Sequence, residues 1–334
     1  MFLNFDSKVT KSKSLIFYFK TELLFHTFAG NCQSMEKQNS QVVRGTIAIS
    51  IAAILWGFDG VVLTPRLFNL NVIYVVFMLH LIPFVVMNIF LSKQYKQLKQ
   101  FVRQDYITFF LVSFFGGAIG TIAIVKALFL VNFQHLSVVV LLQKLQPIFA
   151  ILLAGLLLKE KISNKFILWA VVAIISSYFL TFGFSLPNFE TETETIYAAL
   201  FALLAAFSFG SSTVFSKKVL LNQNFITATF YRYFFTTIIM LVMVVATGQY
   251  IEVYETTPTN WLFFVIIGLT TGSGAIFIYY YGLRRVKAII ATISELLFPI
   301  SAILFDYLIN DNVLSPIQLA SAAVMVFAII KLSK

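Results

Sequence analysis

From residue 45 onward the chain alternates between long apolar runs and short polar segments. The runs cover 45–64, 71–92, 106–130, 135–158, 165–185, 196–216, 225–247, 260–282, 288–309 and 314–332. They lack the two-residue alternation of a lipid-facing strand. Each approaches the ~20 apolar residues that carry a helix across a hydrocarbon core of ~30 Å. The pattern predicts an all-α membrane protein with ten transmembrane helices.

One apolar run occurs twice. Gln143–Ser163 reads QKLQPIFAILLAGLLLKEKIS, and 152 positions later Glu295–Ser315 reads ELLFPISAILFDYLINDNVLS. The ungapped register matches Pro147 to Pro299, Ala150 to Ala302, Leu156 to Leu308 and Ser163 to Ser315. The same offset pairs Gly116 with Gly268, Gly120 with Gly272 and His80 with Arg232. A matched internal proline with matched flanks marks an internal repeat. The predicted organisation is an N-terminal arm over 1–43, a first repeat over 44–185, an acidic linker over 186–195 and a second repeat over 196–333. Residues 1–34 read either as an upstream mis-start before Met35 or as a loose interfacial arm.

Composition agrees with the pattern. The chain is 59% hydrophobic and 11% charged, well below the ~25% charge of soluble domains. A single cysteine, Cys32, leaves no internal disulfide. The net charge of +10 is explained by placement rather than by nucleic acid. One alternate set of loops and termini holds 16 of the lysines and arginines, from Lys37 to Lys334. The other set holds Arg66 and the acidic Glu190, Glu192, Glu194, Glu252, Glu255 and Asp311. Basic residues in short loops mark the cytoplasmic side, so both termini are expected there. Five spans per half then give the halves opposite orientation, an arrangement typical of transporters with a site near the midplane.

These residues resemble the EamA domains of the drug/metabolite transporter superfamily, once in each half and over 44–332. The carriers are Leu55-Trp56-Gly57, echoed by Phe209-Gly210; Tyr231-Arg232-Tyr233; the YYYGL run at 279–283; and the proline helix ending in Lys159-Glu160-Lys161-Ile162-Ser163. The second half departs with Asn312 in place of the glutamate, and the first with His80 where the family often has arginine. The resemblance implies a secondary transporter of small metabolites, often an exporter, in a bacterial inner membrane.

Ionisable groups within spans are costly and therefore candidates for function. Lys144 and Glu295 lie deep in the two proline helices, and Gln143 holds the repeat position of Glu295. Pro147 and Pro299 each remove an N–H and free a carbonyl one turn earlier. Lys144, Glu295, Gln143, Trp56, Arg232, Tyr231 and Tyr280 are the candidate substrate contacts. Glu295, Asp59 and His80 are candidates for proton or ion coupling. A buried Lys144–Glu295 pair that only fixes packing is the competing reading. Lys126 and Asp306 sit near span ends, where side chains reach the interface. No metal cluster, phosphate loop or nucleophile–base spacing is present, so neither cofactor nor metal is expected. The intramembrane charges favour an amino acid or another small anionic or zwitterionic solute, moved by alternating access along a gradient. A membrane enzyme on lipid-linked substrates and a non-transporting sensor are the alternatives. The expected partners are that solute and the lipid bilayer, with a homodimer open.

Overall fold

A computed structural model describes residues 39–131, 139, 142–184, 186, 193–310 and 315–332. Residues 1–38 of the N-terminal arm, with Cys32, and Glu190, Glu192, Asp311, Asn312 and Lys334 lie outside the described residues. Among those described there is no strand. Among the described residues seven helices are long and apolar enough to cross a membrane: α1 Asn39–Leu67, α2 Val72–Gln100, α3 Arg103–Leu130, α6 Ile196–Asn222, α7 Phe225–Ala246, α8 Pro258–Leu283 and α9 Ala288–Ile309. The shorter apolar helices are α4 Gln146–Leu157, α5 Asn164–Leu180 and α10 Pro316–Leu332.

Local chemistry starts several of these helices. Asn71, Ser163, Asn224 and Thr257 each accept a bond from a backbone N–H in the following turn, which satisfies one of the four free donors at a helix start. The outer faces remain apolar, as at Ile89, Phe90 and Leu156, which are 69%, 77% and 75% exposed. Contiguous apolar surface on this scale belongs against lipid. The interior is where polarity collects. On α6, Ser208, Ser212 and Ser216 recur every fourth residue, so they share one buried face with Thr213 beside them.

Glycines set how closely the helices approach. A Cβ on Gly117 would lie 2.1 Å from Thr236 Oγ1 on α7, and one on Gly116 would lie 2.1 Å from Ser212 Oγ on α6. This α3 surface is therefore in contact with both second-half helices. It also holds a π-turn over Ser113–Ile119, and α8 carries another over Gly268–Gly272. The 152-residue offset brings these two segments into register.

The loops sort into two ends. At one, Thr227 bonds Gln94, Arg285 bonds Gln41, and Glu160 bonds the start of α9. At the other, Asn69 bonds Asn260, and Glu252 accepts from the Asn71 backbone. Segments that the charge pattern assigns to one side thus meet one another.

Candidate functional site

The two proline helices are both interrupted before their prolines. A turn at Lys144 and Leu145 precedes α4, and a turn at Glu295 and Leu296 splits α9. The proline at each position has no N–H to give, so the ladder breaks one turn upstream. After the break in α9, Phe298 N bonds Glu295 O at 2.9 Å in the tighter i→i+3 pattern. Broken helices at mid-depth expose backbone groups and place side chains into the protein interior.

Glu295 is at that break and draws in three helices. Its carboxylate accepts from Tyr279 Oη of α8 at 2.6 Å, from Gln146 Nε2 of α4 at 2.6 Å, and from Thr213 Oγ1 of α6 at 3.5 Å. Trp56 of α1 packs its ring 5.3 Å from that of Tyr279. A second group adjoins the first through neighbouring tyrosines. Tyr280 Oη lies 2.7 Å from Ser216 Oγ and accepts from Arg232 Nη1 at 3.1 Å. Arg232 is 8% exposed, and its Nε–H has no partner among the described residues. A buried guanidinium with a spare donor is a costly arrangement that a solute oxygen would relieve.

The structure thus brings Glu295, Arg232, Trp56 and Tyr280 into one polar, aromatic-walled region. Gln146, Thr213 and Ser216 belong to it without having been singled out from sequence. The signal for Gln146 was its place one residue before Pro147, on the turn facing the α9 break. The other candidates have other bonding partners. Lys144 Nζ donates to Ser177 O of α5 at 2.6 Å. Tyr231 points toward the loop end, where its hydroxyl donates to Gln94 O and its ring contacts Phe101. His80 Nδ1 sits 2.8 Å from Val76 O, so it donates to its own helix, and its ring lies beside Tyr233. Asp59 accepts from Thr64 Oγ1 within a π-turn over Asp59–Leu63. Gln143 is half-buried on the stub before the α4 break, and Lys126 is exposed. Pro147 is buried beside the α4–α6 contact, where Gly210 of α6 approaches Gln146 O.

Among the described residues no group of three or more His, Cys, Asp or Glu could hold a metal. A surface groove of about 540 Å³, lined by Arg44, Ile47, Ile51, Phe225, Phe277 and Tyr281, is almost wholly apolar and separate from this region.

Comparison with known proteins then decides the family. The model of the EamA-like transporter family matches twice, over residues 43–182 and 196–333. The chain belongs to the EamA-like transporter family. It is therefore a multi-pass membrane transporter and not an enzyme. A curated relative, riboflavin transporter ImpX of Fusobacterium nucleatum subsp. nucleatum (strain ATCC 23726 / VPI 4351), is 54% identical over 293 residues, which are 87% of this chain and 98% of that protein. A solved structure described only as "Crystal structure of protein" superposes with a TM-score of 0.64 at 15% identity, covering 86% of this chain and 97% of its own. At that identity it carries the fold alone.

Proposed function

We propose that this protein is a secondary transporter of riboflavin, working by alternating access around the region at Glu295. The observation that carries this reading is the 54% identity across nearly the whole of a curated riboflavin transporter. The chemistry of the region agrees. A flavin offers a flat aromatic ring, a polar edge of carbonyls and N–H groups, and a chain of hydroxyls. Trp56 and Tyr279 supply rings suited to stacking. Glu295 and Gln146 supply an acceptor and a donor for the edge, and the free Nε–H of Arg232 suits a carbonyl. In this reading a flavin, neutral at pH 7, takes the place of the anionic or zwitterionic solute expected from the charge tally. Lys144, bonded to a backbone carbonyl, and Tyr231, packed near the loops, act in packing. Glu295 remains the group to hold or exchange a proton.

The architecture proposed with it has ten spans, five to a half, in opposite orientation. Two family matches of similar length and the paired breaks and π-turns support it. The basic loops would face the cytoplasm of a bacterial inner membrane. Purified protein in liposomes tests the function: entry of labelled riboflavin should exceed that of empty vesicles and saturate. Flux of an amino acid without any flux of riboflavin would overturn the proposal.

A further inference from the structure

The Glu160 carboxylate reaches from the first half to the second. Its Oε1 accepts from Ala288 N at 2.8 Å and its Oε2 from Ile289 N at 3.1 Å, across 128 and 129 residues of sequence. Both amides are first-turn donors of α9, which an acidic side chain satisfies well. The backbone is shaped for this reach. Lys159 takes the left-handed conformation, φ 53°, usually left to glycine. Glu160 N then folds back onto Ala154 O at 3.3 Å, closing the end of α4 and turning the next side chain across the molecule. The other edge of the same corner is held as well. Lys217 of α6 donates to Leu283 O and Arg284 O at the end of α8. The turn between α8 and α9 is thereby clamped from both sides, by a lysine of its own half and a glutamate of the other.

The clamped segment leads straight to the site. Ala288–Ser294 is a seven-residue rod whose first turn is on Glu160 and whose C-cap is Glu295. We propose that Glu160 is a positioning residue and inter-half latch: it holds the loop end of the molecule shut in this conformation and sets the orientation of Glu295 through that rod. Release of the carboxylate from the two amides accompanies opening toward the basic loops. Asn312, outside the described residues, stands at the repeat position of Glu160 and brings no charge. The inference rests on the alternating-access reading above, but not on riboflavin being the solute.

The test uses the full chain with Cys32→Ser and a reporter Thr292→Cys, whose side chain is buried between latch and site. Vesicles exposing the basic-loop face are labelled with an impermeant maleimide. Glu160→Gln, which loses a charge-assisted acceptor, should raise the labelling rate about tenfold, Glu160→Asp less, and Glu255→Gln at the opposite end not at all. Equal rates in Glu160→Gln and the parent overturn the latch. A second variant keeps the test independent of folding: Glu160→Cys with Ala288→Cys, cross-linked by oxidant, should stop solute flux, and reductant should restore it. Undiminished flux through the cross-linked protein overturns the proposal. Loss of riboflavin flux in the parent and every variant, with the labelling pattern intact, would instead remove riboflavin and leave the latch standing.

Discussion

The two proline helices share a backbone plan and differ in their chemistry. Both break one turn before the proline, and the helices preceding them both carry a π-turn near a glycine. On that common plan the second half has Glu295, Tyr279, Tyr280 and Arg232, where the offset of 152 gives the first half Gln143, Ala127, Leu128 and His80. Similar breaks in both rods suit two halves that exchange conformations. Unlike side chains suit a solute with two different ends. The comparison separates what the scaffold needs, which recurs, from what the ligand needs, which does not.

The largest effect expected from this contrast is at Glu295. Its removal takes away the acceptor on which Tyr279, Gln146 and Thr213 converge, so Glu295→Ala should lower riboflavin flux by ~100-fold, about 2.7 kcal/mol. Gln143→Ala at the matching position should stay within about 2-fold. Equal losses in proteoliposome flux would erase the division of labour.

A smaller effect separates the tyrosines. Tyr279→Phe removes a 2.6 Å bond to Glu295 and should reduce flux ~10-fold. Tyr231→Phe, whose hydroxyl is on Gln94 O, should leave flux within about 2-fold while lowering stability by ~1 kcal/mol. The glycine pair sharpens the scaffold side. Gly116→Ala places a methyl 2.1 Å from Ser212 Oγ, against 3.2 Å from Pro83 Cδ for Gly268→Ala. Thermal melting should show a loss of ~1–3 kcal/mol at Gly116 and a smaller one at Gly268. Little effect on flux is expected at Lys144. Lys144→Met gives up the bond to Ser177 O and should change flux by no more than about 3-fold, with ~1–2 kcal/mol of stability lost. A 100-fold fall there would move the site toward α5.

Hydropathy and the repeat made the all-helical membrane class and the position of the α9 break readable from sequence, because proline and a 20-residue apolar run have direct backbone consequences. Pairings across the chain were not readable. Lys144 and Glu295 were expected to converge, yet one side chain goes to α5 and the other to α8, α4 and α6. Adjacent residues on a helix point about 100° apart, which is why Tyr231 leaves the region that Arg232 enters. Gln146 was passed over for Gln143 because the offset of 152 aligns Gln143 with Glu295 and Gln146 with the apolar Phe298. The bond from Glu160 to α9 depends on the turn at Lys159, for which no glycine advertised the left-handed conformation.

The most direct measurement of the central claim is a titration of riboflavin fluorescence with purified protein, run beside Glu295→Ala and Gln143→Ala. Stacking on Trp56 and Tyr279 should quench the flavin saturably. The account predicts that the Gln143→Ala curve overlies the parent and that the Glu295→Ala midpoint moves to at least ~10-fold higher protein concentration. Absence of saturable quenching, or three curves that coincide, would contradict it.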